Sequence, residues 1–407
     1  MFARLVLALP LICLSGVVQS AEEPQWLKDA RAREGKLRRA ITVKDSEGFF
    51  STKLPVKLVG KVEQQEGGYM LTLDIGSEAP MTCEVLHEEF DLAGTLGSVA
   101  QSTFAEIEPI QGKIDVKAVE QQDAGVMGRS PFMAVDWLYR VNGGEGPKLG
   151  ALKQIAAIKD GRGLYCSHID IGYTKSFRSV ATAFIESIEF ANPEPQPLYF
   201  EISTASLGDR RIGVAIASMQ QDEDGDNRLV NMSSLLVPVT PDTLTAQDAY
   251  HIQWARPDAT MINATHVVSS DGEIETNLSL RRAEDGGWMF EGIFNQKEIA
   301  GTIGSEADPA TWLAQARARR ALFDREDVVG ATLSERVWTT ASPESFIDWK
   351  TTVTAVVNER QLATREETAG MVIDAVVDRV TGMPEAASMP LGPQSLKLER
   401  VYVQGSF

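Results

Sequence analysis

The sequence predicts an α+β protein, with an N-terminal antiparallel sheet packed by helices and then a larger, mainly antiparallel β region with a few helices. Three observations predict it. Period-two apolar alternation recurs along most of the chain, and one strongly helical apolar stripe, Phe177 to Ile188, needs a sheet to cover. A Pro-rich stretch, Asn192-Pro193-Glu194-Pro195-Gln196-Pro197, reads as a semi-rigid linker. The 407 residues are enough for two cores, so the expected domains are 21–191 and 198–407.

Residues 1–20 read as a signal peptide. Arg4 gives the positive start, Leu5 to Leu14 is an apolar run too short to span a bilayer, and Val18-Gln19-Ser20 places small residues before Ala21. No later segment approaches 18 uninterrupted apolar residues, so no integral membrane segment is expected after cleavage. With a short signal and little else around the domains, the expected compartment is the periplasm. Three sequons, beginning at Asn231, Asn263 and Asn277, would matter only in a eukaryotic secretory pathway.

Export changes how the cysteines are read. Cys13 leaves with the signal, and Cys83 and Cys166 remain as a pair in an oxidising compartment, which predicts a disulfide. Two reduced buried thiols, or metal or redox chemistry, are the alternatives. In the chain-entropy model a loop of this length contributes about 4–5 kcal/mol. The formal charge of −18 and pI near 4.8 exclude a nucleic-acid partner, which needs a basic face.

The first domain begins with a short surface helix within Pro24–Arg39, anchored by Trp26, Leu27 and Leu37. A hairpin follows, with Val56, Leu58 and Val62 on one face and Tyr69, Leu71, Leu73 and Ile75 on the next strand, turning at Glu66-Gly67-Gly68. Met81, Cys83 and Val85 alternate inward on a third strand. Asp91 reads as an N-cap for a helix carrying Leu92, Leu96, Val99, Ala100 and Thr103, weakened by Gly94 and Gly97 by about 1 kcal/mol each. Strands are expected at 113–120, 132–141, 152–158 and 164–169. Then Phe177, Val180, Ala181, Phe184, Ile185 and Ile188 write the clearest helix of the chain.

This order of elements, ending in LYCSHIDIGYTKSFRSVATAFIESIEF, resembles the Mog1/PsbP-like domains over about residues 40–190. The resemblance implies a non-enzymatic accessory or assembly role and assigns no functional residue.

Beyond the linker the pattern is antiparallel β. Turns at Ser270-Asp271-Gly272 and Glu284-Asp285-Gly286-Gly287 separate three alternating runs. Ile274, Thr276, Leu278 and Leu280 share a face on the middle run, and Trp288, Phe290 and Phe294 on the third. Asp308-Pro309 starts a helix with Trp312, Leu313, Ala316 and Phe323 on its apolar side. Arg317, Arg319, Arg320 and Arg325 on it read as a solvated face, with an anionic-ligand patch the alternative. Met371, Ile373, Ala375 and Val377, then Leu396, Leu398 and Val401-Tyr402-Val403, predict closing strands, the last of them paired.

Cys83, His87, Cys166 and His168 have the atom types of a zinc site, but four residues of strand put His87 about 13 Å from Cys83. His168 then reads as a structural histidine beside the disulfide, and His266 as a core histidine. Asp222, Asp224 and Asp226 resemble the start of a calcium loop, but the glycine is misplaced and Ser233 stands where a glutamate is needed. No nucleophile elbow, metalloprotease helix or phosphate loop is present. No catalytic residue, metal ligand or cofactor is assigned. The expected function is an exported, non-catalytic binding or envelope-accessory protein. The alternatives are a carrier of an apolar ligand, built in the second region like the LolA half-barrels, and an unrecognised hydrolase. Its expected partner is an envelope protein or an apolar small molecule.

Overall fold

A computed structural model describes residues 23–88, 90–143, 146–240, 242–304, 308–340, 342–392 and 394–407. The expected signal peptide lies outside the described residues. Contacts divide the chain into two units, one of residues 23–195 with 236–246 and one of residues 196–235 with 247–407. Antiparallel sheets dominate both.

In the first unit, seven strands pair in the order β3-β4-β5-β9-β8-β7-β6. They are β3 (Leu58–Gln65), β4 (Gly68–Asp74), β5 (Met81–Leu86), β6 (Lys113–Met127), β7 (Ser130–Gly143), β8 (Gly146–Lys159) and β9 (Arg162–Ile169). Helix α1 (Gln25–Arg31) precedes them and is shorter than expected. Beside the sheet, β1 (Ile41–Lys44) and β10 (Glu189–Phe190) flank β2 (Phe50–Leu54).

Two helices sandwich the sheet because its central strands are apolar on both sides. On one face α3 (Thr174–Ser187) buries Phe177, Val180, Ala181, Phe184 and Ile185 against Leu71, Leu73, Met81, Val85 and Leu164. On the other, α2 (Leu92–Gln111) sets Phe104 edge-on to Trp137 and Tyr139, with ring centroids 5.9 and 5.5 Å apart. β9 therefore reads as a nearly continuous buried run. In the first expected hairpin strand only Val56 is buried, and Leu58 is exposed.

In the second unit, fourteen strands form one sheet in the order β18-β17-β16-β15-β14-β13-β12-β11-β24-β23-β22-β21-β20-β19. Its first half holds β11 (Tyr199–Leu207), β12 (Arg210–Gln221), β13 (Asn227–Thr240), β14 (Thr243–Ala255), β15 (Met261–Ser270), β16 (Glu273–Arg282), β17 (Trp288–Phe294) and β18 (Lys297–Ile303). The far end of the β13–β14 hairpin belongs to the first unit, where Gln122 Nε2 donates to Leu236 O at 2.6 Å. The second half holds β19 (Thr332–Val337), β20 (Ile347–Asn358), β21 (Gln361–Thr368), β22 (Met371–Asp378), β23 (Pro384–Leu391) and β24 (Gln394–Gly405). The last strand is paired on both sides, to β23 and to β11.

One bulge shifts an expected face. The register slips between Val268 and Ser269, which leaves Ile274 53% exposed while Thr276, Leu278 and Leu280 stay buried. Val401 and Val403 are exposed because they lie on the opposite parity of β24 from the buried Leu396 and Leu398. The helix of this unit, α4 (Trp312–Phe323), starts at Thr311, three residues past the expected Asp308. Thr311 Oγ1 accepts from Ala314 N at 3.1 Å, a full N-cap.

Candidate functional site

The second-unit sheet curls around α4. The helix packs Trp312, Leu313 and Ala316 against Tyr199 of β11, Ala217 of β12, Leu229 of β13 and Ala255 of β14. Gln253 Oε1 on β14 accepts the Trp312 backbone N–H at 3.1 Å, which pins the first turn. Arg319, one turn beyond Gln315, meets Glu366 of β21, a strand at the other end of the sheet order. The His251 ring of β14 also stands 6.3 Å from that of Trp338, just past β19. The curl thus encloses one helix between strands remote in the sheet.

The enclosed face of α4 is apolar except at two positions. Residues 312, 315, 316, 319 and 323 fall at helical spacing on one side and are all buried. Gln315 and Arg319 therefore bring polar groups into the interior. Arg319 Nη2 lies 3.1 Å from Glu366 Oε1, and Nη1 donates to Gly382 O at 3.4 Å. Trp349 Nε1 donates to Glu366 Oε2 at 3.1 Å, so both ends of that carboxylate are engaged. Burial raises the pKa of nearby Glu335, against the pull of Arg319. Gly382 is required here: its φ is +69°, and a Cβ would stand 2.2 Å from Ala316 O.

Between α4 and strands β13, β22 and β23 lies a small cavity. The space that a water's centre can reach is about 20 Å³, room for one or two waters. Ile373, Ala375 and Met383 make its apolar wall, and Asn231, Trp312, Gln315, Arg319 and Glu366 its polar one. Several of these polar atoms bond to no protein group: both side-chain atoms of Asn231, Gln315 Nε2, Trp312 Nε1 and Arg319 Nε. Their side chains are all buried, between 4% and 8% exposed. Unpartnered donors outnumber acceptors on this wall.

A second buried cluster lies where β11 meets β24. Arg400 reaches Glu385, Asp378 at 3.5 Å and Glu201 at 3.8 Å. Burial pushes the Glu201 carboxyl up to about 7, against the Tyr199 hydroxyl that donates to it at 2.6 Å and the Arg400 charge. Arg400 Nη1, 3.8 Å from Glu201, has no hydrogen-bond partner, while the other groups engage one another.

Cys83 and Cys166 form the expected disulfide, directly opposite one another on β5 and β9 with Cα atoms 4.1 Å apart. His168 is buried and stacks on Phe177. Burial, with the Lys153 charge nearby, lowers its pKa to about 4. His87 sits instead against Phe49 and Tyr69. Asp222 accepts the backbone N–H groups of Asp224 and Asp226, which makes that stretch a hydrogen-bonded turn. Among the described residues no group of three or more His, Cys, Asp or Glu could hold a metal ion. No helix there is long and apolar enough to cross a membrane.

The arginine-rich helix is the main correction. The solvated-face reading holds for Arg317 and Arg325, which are exposed, but Arg319 is 5% exposed and ion-paired. Asn231, read only as a sequon, faces the interior of the curl. Glu366 escaped notice. Gln315, Arg319 and Glu366 stand where apolar residues belong, the first two beside Trp312 and Ala316 and the last on the buried parity of Leu362, Thr364 and Thr368. Polar residues at core positions were the signal that could have found the site.

No family model matches this sequence, and no curated protein matches it. A crystal structure of a beta-barrel-like protein of a domain of unknown function, DUF1849, from Brucella abortus is similar over 51% of this chain and 97% of its own. The identity is 12% and the TM-score 0.37.

Proposed function

We propose that this chain is an exported, periplasmic, non-catalytic binding protein whose ligand site is the interior of the second unit. One observation supports the reading above others: a helix enclosed by the sheet turns unpartnered donors toward a cavity with an apolar opposite wall. Binding sites combine an apolar lining with a few convergent polar groups in this way. The Cys83–Cys166 disulfide is compatible with export. The first unit then serves as the accessory module that its resemblance to Mog1/PsbP-like domains implies.

The hydrolase reading draws no support from the buried carboxylates. Glu366 is held by Arg319 and Trp349, and Glu201 by Tyr199 and Arg400. The apolar-carrier reading requires a continuous apolar pocket between sheet and helix, and the space beside α4 is small and half polar.

Native mass spectrometry of protein isolated from a periplasmic extract tests the proposal. A stoichiometric adduct lost on denaturation is the expected result. Bare protein from every extract, with no partner retained, would overturn it. An N-phenylnaphthylamine titration with saturable fluorescence gain would restore the apolar carrier.

A further inference from the structure

The chemistry of the cavity narrows the ligand class, on the premise that the binding reading of this site holds. Four donors on the residues that line it have no protein acceptor: Asn231 Nδ2, Gln315 Nε2, Trp312 Nε1 and Arg319 Nε. The acceptors on these residues are fewer: Asn231 Oδ1, Gln315 Oε1 and Glu366 Oε1, the last of them ion-paired with Arg319. A ligand that satisfies this wall must accept more hydrogen bonds than it donates.

Charge decides between an anion and a neutral acceptor. Among the described residues on the cavity wall Arg319 is the one cation, and its guanidinium is already ion-paired at 3.1 Å with Glu366. An entering carboxylate or phosphate would find no uncompensated positive charge and would sit beside a buried carboxylate. That arrangement leaves an unpaired buried charge, the most costly kind. A carbonyl oxygen carries the same acceptor geometry without that penalty. The size of the space adds a limit: it admits the end of a molecule, with Ile373, Ala375 and Met383 contacting whatever apolar atoms follow.

We infer that the α4 cavity takes the uncharged carbonyl or amide end of a ligand, held by the side chains of Asn231, Trp312 and Gln315 against the apolar wall. The Arg319–Glu366 pair lends one further donor and, being neutral overall, offers an anion no net charge to bind. This differs from the anionic-ligand patch that the run of arginines suggests, because the one arginine that reaches the interior is already neutralised.

Formamide and formate separate the possibilities, being nearly the same size and differing in charge. The full chain, labelled with nitrogen-15, is titrated with each at constant ionic strength, and the Trp312 indole N–H is followed beside the side-chain amides. Formamide should give saturable shifts of these signals, with a Kd of about 1 mM or weaker for so few atoms. Formate should give none. The double variant Asn231→Leu/Gln315→Leu should weaken formamide binding at least tenfold, on the order of the loss of two hydrogen bonds. Where that variant does not give a dispersed spectrum, Gln315→Met alone is used, with an expected loss of about threefold.

Linear shifts with both probes would mean that only water occupies the space, and would overturn the inference. Saturation by formate, or formamide binding unchanged in the variants, would overturn it equally. Failure here is distinct from failure of the binding reading. A native adduct that survives Asn231→Leu/Gln315→Leu would leave the protein a binder and place its ligand elsewhere.

Discussion

Gln154 in the first unit and Gln315 in the second are both buried amides beside a tryptophan, and they are treated in opposite ways. Gln154 Oε1 accepts from Trp137 Nε1 at 3.2 Å, while its Nε2 donates to Tyr165 Oη at 2.7 Å and to Leu96 O at 3.3 Å. Gln315 Nε2 has no protein partner, nor has the neighbouring Trp312 Nε1. Lys153 repeats the first pattern: its ammonium donates to Asp170 O and, at 2.8 Å, to Gly172 O. A satisfied buried network fixes a single packing. A wall of unmatched donors does not stabilise the fold in this way.

The contrast is tested first by breaking the ion pair. Arg319→Leu leaves Glu366 as a buried carboxylate held only by Trp349, and should cost about 3–5 kcal/mol in denaturant unfolding. The double variant Arg319→Leu/Glu366→Leu should recover most of that loss, because two apolar side chains can replace a buried pair. A double variant as unstable as the single one would show that the pair is structural in the same sense as the Lys153 network.

Next in size is Gln154→Leu. It strands the Trp137 N–H and removes the acceptor and donors around it, and should cost about 2–3 kcal/mol by thermal or urea unfolding. A loss under about 0.5 kcal/mol would erase the distinction between the units.

Acidity separates the units through opposite signs. His168 is held neutral in the folded first unit, with its pKa lowered to about 4, so the unfolded chain takes up the proton first. The stability it contributes is complete above about pH 6.5 and is lost as pH falls from there toward 4. Glu201 is shifted upward, to about 7, so the folded second unit holds its proton longer than the unfolded chain. Its contribution is complete below about pH 4.5 and is lost as pH rises through 7. Between pH 7.5 and 5, the local opening free energy from hydrogen exchange, with the intrinsic rate at each pH divided out, should therefore fall at β9 and rise at β11, by about 1–2 kcal/mol. Glu201→Gln should flatten only the second trend, and His168→Leu only the first.

The first unit was largely legible because its rules are local. The stripe from Phe177 to Ile185 and the alternation of Met81, Cys83 and Val85 each show their buried face within a few residues, and all these side chains are buried. Placing Cys83 opposite Cys166 needed only an even count and an oxidising compartment. The second unit hid its site because the relevant contacts are remote in sequence. Nothing near Arg319 indicates that Glu366 will face it, since their meeting depends on the sheet curling back on itself. A bulge hid more: a one-residue slip at Val268/Ser269 turned Ile274 outward against the alternation that placed it inside.

The smallest expected effect is the most discriminating. Asn231 is 8% exposed and neither atom of its amide bonds to protein. Were it a structural residue like Gln154, Asn231→Leu would cost 1–3 kcal/mol, the usual price of a lost buried amide. Because no protein bond is broken, and an apolar side chain then faces Ile373 and Met383, the change should be neutral within about 0.5 kcal/mol. Urea unfolding of the variant measures this directly. A neutral result together with lost formamide binding would separate the fold from the site at a single residue. A loss above about 2 kcal/mol would place Asn231 with the satisfied networks of the first unit.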